Sequence, residues 1–388
     1  MTYFHWIAGG ILGLVWLFHL IDAALGVPKI VDLSLAAWDR SPKTRLRVSI
    51  IVPARNEEEH IAQTLTKLLQ LDYGNYEVIA VNDRSTDRTG DAMDRAAAMS
   101  AAQGRLKVIH IEQLPEGWLG KAHAMWTAAN AATGDWLLFT DADVMFEPES
   151  LRRALAYAES SSSDHLVVLP RLIMKQMGET MMLAFFQTLF VFGHRPWKTA
   201  DPKTKDHVGV GAFNMIRRSA YDGIGTYEAL RFEVLDDMKL GKLVKNAGYA
   251  QRVAFGADLI SIRWAKGAFG VIQNLTKNLF ALLSFQWPRA LASCVLLVFL
   301  NLVPFLGSFL AHGWARIPYA VALTCILGMY VGMSWKSDVS PCYFVLHPVG
   351  TTLFAYTMLR SMFLTLGRGG VTWRGTFYPL AELRKGMV

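Results

Sequence analysis

The sequence predicts a wound α/β domain on parallel strands, preceded by one apolar helix able to cross a bilayer and followed by several more. Three observations carry that expectation. Short β-branched runs alternate with helix-like stretches from Arg47 to about Pro170, the pattern of strands joined by crossover helices. Residues 6–27 hold only two polar side chains, His19 and Asp22, and 22 residues suffice for a hydrocarbon core of roughly 30 Å. Finally, 52% of the 388 residues are hydrophobic and only 18% charged, below the roughly 25% charged of a soluble domain.

Taken in order, the first apolar run reads as a transmembrane helix (residues 1–28). A cleaved signal peptide is the rival, but no basic residue precedes the run and its apolar core is long for such a leader. Lys29, Arg40, Lys43, Arg45 and Arg47 follow the span, which places the N-terminus outside and the next domain in the cytoplasm. Strands are expected at 48–52, 76–81, 106–111, 136–140 and 166–169, with helices such as 57–69 and 122–132 between them. A nucleotide site is expected at the carboxyl ends of such strands. Residues 174–192 and 269–285 have helical apolar spacing, with Phe269, Ile272, Leu279 and Leu283 on one side of the second. Either lies flat on a membrane or covers the sheet.

Three apolar stretches follow, 290–311, 317–335 and 341–366, each long enough to span. Three crossings from a cytoplasmic domain leave the tail outside, whereas Arg360, Arg368, Arg374, Arg384 and Lys385 favour a cytoplasmic tail. One segment is therefore not a simple span, and Pro304 in the first or Pro348 with Gly350 in the third permits re-entrant geometry. The expected organisation is a helix at 1–28, a cytoplasmic domain at 45–265, an interfacial helix at 266–288, a transmembrane region at 289–366 and a basic tail at 367–388. The net charge of +7 is scattered, with no aromatic-basic stripe, so an anionic membrane surface is a better partner than nucleic acid. Cys294, Cys325 and Cys342 lack metal-ligand spacing and read as small core residues in a reducing compartment.

The first strand ends in Pro53-Ala54-Arg55-Asn56-Glu57-Glu58, without the glycine fingerprint of a dinucleotide fold, and no GxxxxGK[ST] is present. A dehydrogenase and the commonest ATPase are thereby excluded. The second strand runs into Asn82-Asp83-Arg84-Ser85-Thr86-Asp87, where Asp83 can accept from a nucleobase ring N–H while Ser85, Thr86 or Asp87 caps the next helix; capping alone also accounts for these residues. The fourth strand delivers Asp141-Ala142-Asp143, two carboxylates on one side of an extended backbone that repel each other without a cation. A hard ion, Mg2+ or Mn2+, suits such oxygen ligands and takes others from a diphosphate.

In this order the pieces resemble glycosyltransferase family 2, the inverting group with the GT-A fold, over about residues 47–264. Ile50 to Glu57 is similar to the family's opening strand, Asn82 to Asp87 to its DDxSxD segment with Asn82 for the first Asp, and Gly120-Lys121-Ala122-His123-Ala124 to its GKAxA segment. Leu235-Asp236-Asp237-Met238 resembles the ED motif, with Asp236 standing for the Glu; Asp236 as a helix N-cap is the plain alternative. Ser261-Ile262-Arg263-Trp264 is similar to the end of QxxRW in processive synthases and ceramide glucosyltransferases, but Ile260 replaces the Gln, against polymer elongation; Arg263 and Trp264 also suit a headgroup anchor. Residues 369–378 resemble the ends of carotenoid and hopanoid-type glycosyltransferases.

The resemblance implies a GT-A mixed sheet with interfacial and transmembrane helices in an inner (cytoplasmic) membrane protein, its catalytic domain facing the cytoplasm. It implies transfer from a nucleotide-sugar, a UDP-sugar, to a lipid or polyisoprenoid hydroxyl. Pro53, Ala54, Arg55, Glu57, Asp83, Lys121, Asp141, Arg263 and Trp264 would bind the donor, Asp143 and Asp141 the metal, and Asp237 would be the general base, its pKa raised by burial and a neighbouring carboxylate. A processive polysaccharide synthase and a catalytically silent nucleotide-sugar-binding membrane protein are the rivals. Donor sugar, acceptor and oligomeric state are not legible.

Overall fold

The computed structural model describes residues 2–99 and 104–386; Met1 and the last two residues of the basic tail lie outside these. The chain divides into a helical unit (Met1–Lys29, Met174–Arg195, Trp264–Trp373) and a sheet unit (Ile30–Ile173, Pro196–Arg263, Arg374–Val388).

In the helical unit, α1 (Thr2–Gly26) is one uninterrupted helix that turns Phe4, Ile7, Leu14, Phe18 and Leu25 outward, each about two-thirds exposed. An outward stripe of this size on a water-exposed helix would be costly, and it suits lipid. Helices α6 (Met177–His194), α9 (Gly267–Leu282) and α13 (His347–Arg368) share an apolar core built from Met182, Phe185, Val271, Leu275, Leu279, Phe354 and Met358. Val271, Leu275 and Leu279 follow the four-residue spacing that stacks side chains on one helix face. Residues 174–192, whose two expected roles were a membrane surface and a cover for the sheet, thus bury their apolar face among helices.

Among the described residues three helices are long and apolar enough to cross a membrane: Tyr3–Lys29, Gly313–Ser334 and Pro341–Arg368. The run 290–311 is not a single helix. It divides into α10 (Trp287–Asn301) and α11 (Val303–Leu310), with Pro304 in the first turn of α11, where its missing N–H costs nothing. The expected helix at 266–288 also stops short. Ser284 and Phe285 both adopt left-handed backbone (φ 59° and 53°), ending α9, and α10 leaves at a bend of 119°. Pro348 breaks nothing, since it lies in the first turn of a 22-residue α13; the irregular geometry belongs to the α9–α10 region. Helix α12 (Ile317–Ser334) completes the unit with Tyr319, Ala322, Ile326 and Tyr330 buried.

The main sheet of the sheet unit has, among the described residues, eight strands in the order β1 (Val31–Asp32), β10 (Gln251–Phe255), β7 (His165–Leu169), β9 (Asn214–Arg217), β5 (Trp136–Phe139), β2 (Val48–Ala54), β3 (Tyr76–Asp83), β4 (Leu106–Ile111). All pairings are parallel except those of β9, antiparallel to both β5 and β7, so the all-parallel expectation gives way to a mixed sheet. All seven residues of β2 are buried, as a central strand covered on both faces requires. Its register, Ile51 beside Phe139 and Ala54 beside Asn82, brings the carboxyl ends of β5, β2 and β3 to one edge. A second sheet, β6 (Val144–Phe146), β11 (Ile260–Ile262) and β8 (Arg171–Leu172), lies just beyond the Asp141-Ala142-Asp143 turn. Helix α2 (Ile61–Leu69) begins four residues later than expected, because Asn56 takes a left-handed φ of 56° and turns the chain first.

Candidate active site

At that edge the turn after β2 is held from the turn after β3. Asn56 Oδ1 accepts from the Thr86 N–H (2.8 Å), Ser85 Oγ accepts from the Asn56 N–H (3.1 Å), and Thr89 Oγ1 accepts from the Glu57 N–H (2.8 Å). Helix α3 (Thr89–Ala98) has Arg88 at its N-cap without a side-chain cap; Asp87 serves one residue earlier, accepting from the Thr89 N–H at 3.0 Å. Ser85 and Thr86 therefore tie the two turns together and do not cap the helix. Asp83 is buried at the end of β3, and the Arg84 guanidinium forks onto both its oxygens (2.7 and 3.1 Å). A carboxylate keeps acceptor capacity beyond a bidentate arginine, so a nucleobase N–H can still be received.

Helix α4 (Gly120–Ala131) presses its first residue against this pair: a Cβ on Gly120 would stand 2.5 Å from Asp83 Oδ2, so glycine is needed for the close approach. The N-cap, Leu119, offers no side-chain oxygen. Tyr378 supplies one from 258 residues away, its hydroxyl accepting from the Gly120 N–H at 3.1 Å. The same segment gives Thr376 Oγ1, which accepts from Arg55 (2.8 Å), and Arg374, which donates to the Arg55 carbonyl and pairs with Glu57 at 2.5 Å. Arg84, Arg374, Thr376 and Tyr378 were not among the expected site residues. The likeness at residues 369–378 was the one signal pointing to the last three, and it does not say where they fold.

Lys121, next along α4, meets acids where a phosphate was expected. Its Nζ lies 2.8 Å from Asp141 and 3.6 Å from Asp236. These carboxylates, with Asp237, hold the ammonium well above its ordinary pKa despite burial. Asp141 and Asp143 sit in a turn between β5 and β6, and not on the extended strand predicted. Burial, then Asp141, then Glu57 push the Asp143 carboxyl up to about 7. Helix α8 (Asp236–Asn246) starts after Leu235, so Asp236 is its first residue and not its cap; Asp236 accepts from the Tyr227 hydroxyl at 3.2 Å. Asp237 accepts the Met238 N–H (2.7 Å), and burial followed by Asp236 raises it to about 6, against the pull of Lys121. A Cβ on Gly209 would fall 1.7 Å from the Asp237 carbonyl oxygen, so the chain at Gly209 lies directly against the Asp237 peptide.

Asp83, Lys121, Asp141, Asp143, Glu57, Arg55 and Asp237 thus gather at one sheet edge, where Pro53 and Ala54 end β2. Arg263 follows β11, one step beyond the pairing of Ile262 with Val144 and on the Asp143 side. Trp264 belongs to the helical unit, where it stacks on Phe186, ring centroids 5.5 Å apart.

Asp141 and Asp143 fit a hard divalent ion, being all-oxygen donors with the excess negative charge that the raised Asp143 carboxyl reports. Among the described residues no three His, Cys, Asp or Glu side chains form a ready cage, so such an ion would draw on donor phosphates and water.

Residues 49–225 match glycosyl transferase family 2. A curated relative, 4,4'-diaponeurosporenoate glycosyltransferase of Staphylococcus aureus (strain MRSA252), is 25% identical over 342 residues, 86% of this chain and 89% of the relative. A mannosyltransferase from Pyrobaculum calidifontis, solved with GDP-mannose and Mn2+, aligns with a TM-score of 0.57 at 20% identity over 94% of this chain and 99% of that one; that likeness supports the fold.

Proposed function

We propose that this chain, whose residues 49–225 match glycosyl transferase family 2, moves a hexose from a UDP-sugar to a long apolar lipid acceptor at a membrane, with inversion. The observation that carries the reading is the cluster of Asp83, Lys121, Asp141, Asp143 and Asp237 at one sheet edge. Asp83 receives the nucleobase. Arg55 and Lys121 supply positive charge for the diphosphate, Lys121 leaving Asp141 as the donor arrives. Asp143 and Asp141 would hold Mg2+ or Mn2+, which when bound neutralises the leaving diphosphate.

Asp237 takes the proton of the acceptor hydroxyl as its oxygen bonds to the anomeric carbon and the bond to the diphosphate oxygen breaks. An acid raised to about 6 is ionised at neutral pH and a stronger base than an ordinary aspartate. A second reading comes from the relative that acts on 4,4'-diaponeurosporenoate, a carboxylate. Such an acceptor is already ionised and needs no base.

The chain leaves the sheet unit at Trp264 and rejoins it at Arg374. An even number of crossings between them keeps the unit on one side, which favours crossing by α12 and α13 and a re-entrant α9–α10. With α1, this is a multi-pass protein with its sheet unit in the cytoplasm.

The test is incubation of the detergent-solubilised protein with labelled UDP-hexoses, Mn2+ and a total lipid extract, for wild type and Asp237→Asn. A labelled, alkali-stable lipid that falls 100-fold or more in Asp237→Asn supports the hydroxyl reading. An alkali-labile product that persists in the variant selects the carboxylate reading, and no labelled lipid from any UDP-sugar refutes both.

A further inference from the structure

Behind the site, in the sheet unit, three polar side chains lie where a core calls for apolar ones. His165 on β7, Asn214 on β9 and Gln251 on β10 are each at most 1% exposed. Their hydrogen bonds run in one sense. The Asn214 amide N–H donates to the main-chain carbonyl of Asp237 at 3.3 Å, which leaves its oxygen as the acceptor for His165 Nε2. His165 Nε2 therefore carries the proton, and Nδ1 accepts from the Gln251 amide at 2.8 Å. The same amide nitrogen donates to the Gly241 carbonyl on α8 (3.2 Å), while the Gln251 oxygen accepts from the Val208 N–H (3.0 Å).

Each orientation is fixed by its neighbour, so neither amide can flip without losing a buried bond. The chain of bonds ends on the loop and the helix that hold Asp237. Val208 precedes Gly209, which lies against the Asp237 carbonyl; Gly241 is one turn along α8 and also glycine at a close approach, its would-be Cβ 2.2 Å from the Val208 carbonyl. Apolar residues at 165, 214 and 251 would satisfy the core but leave the Asp237 carbonyl and the Val208 N–H without these partners. Burial keeps His165 neutral, its pKa lowered to about 4, so the pattern persists across the working pH range.

We propose that Gln251, His165 and Asn214 are positioning residues that fix the peptide of Asp237, and so the aim of its carboxylate at the acceptor hydroxyl. None of the three touches substrate. The inference rests on Asp237 being the base. A displacement of about 1 Å at a reacting group is enough to cost roughly 100-fold in rate, whereas donor binding relies on Asp83, Arg55 and Lys121, outside this network.

The experiment compares Asn214→Ala, Gln251→Glu and Asp237→Asn in the full chain, measuring transfer from labelled UDP-hexose into the lipid extract and, separately, UDP affinity with Mn2+. Gln251→Glu preserves volume and the acceptor for Val208, and serves should Asn214→Ala fail to fold. The expected result is a kcat lowered at least 10-fold in both, with UDP affinity and donor KM within about twofold of wild type. Unchanged kcat in a folded variant overturns the positioning role, and so does a proportional loss of UDP affinity and kcat, the mark of general disruption. Undiminished transfer by Asp237→Asn removes the base assignment itself, a different failure that the same series distinguishes.

Discussion

Replacing Lys121 by Met isolates the electrostatics of the cluster. The ammonium faces Asp141 at 2.8 Å and Asp236 at 3.6 Å, with Asp237 also in its field. Removing one member of a buried ion pair costs about 3–5 kcal/mol. Lys121 is 20% exposed and Asp141 35%, so water screens part of this, and about 3 kcal/mol is expected at pH 8. For a unit of this size that lowers the unfolding temperature by roughly 6–12 °C. The sign with pH follows from the groups concerned. Lys121, its pKa raised, stays charged throughout this range, so the variation comes from its partners. Asp237, ionising near 6, is largely protonated at pH 5 and then offers the ammonium little. The deficit of Lys121→Met should accordingly shrink at pH 5 by roughly 1 kcal/mol. Thermal unfolding of both proteins in detergent, followed by tryptophan fluorescence at pH 5 and pH 8, measures it. Equal deficits at the two pH values, or none at pH 8, would show that the ammonium does not hold these acids together.

Other expectations follow from the same geometry. Asp143 is raised from 3.8 to about 7, so the folded state gains from its proton below pH 4 and loses that gain as pH rises through 7. Without a divalent ion the unfolding temperature should fall between pH 5 and pH 8, and Mn2+ should raise it more at pH 8; Asp143→Asn should abolish most of that Mn2+ increment. Tyr378→Phe removes the acceptor for the Gly120 N–H and should cost about 1 kcal/mol, the worth of a helix cap. Expressed in donor binding, this is about a fivefold rise in KM for the UDP-sugar, measurable by steady-state transfer. Gly209→Ala sets a methyl 1.7 Å from the Asp237 carbonyl oxygen and should reduce transfer at least 100-fold; near-normal turnover would show that the loop has room to move.

What was legible in the sequence is local. Short apolar runs located β2, β3, β4, β5 and β7 within a few residues; in β2 and β5 every residue is buried, so these strands have nowhere to place exposed polar side chains, while β4 at the sheet edge keeps Lys107 and His110 outward. Acids at strand ends located Asp83, Asp141 and Asp143 for the related reason that the chain must turn there. The rest depends on partners far away in sequence. Nothing near Leu119 announces that Tyr378 caps its helix, and nothing near His165 tells a solvated histidine from one locked between Asn214 and Gln251. The break after α9 escaped for another reason: Ser284 and Phe285 adopt a backbone that neither residue type advertises.

Residues 374–378 reach Arg55, Glu57 and Gly120 from the far end of a chain whose sheet unit is otherwise finished by Arg263. Translation proceeds in one direction, so a nascent chain on the ribosome possesses β2, α4 and α8 long before it possesses Tyr378. Every apolar helix has been made by then. Until that moment α4 lacks its Tyr378 cap and Glu57 lacks Arg374, so this sheet edge is completed only by the last stretch of polypeptide to emerge.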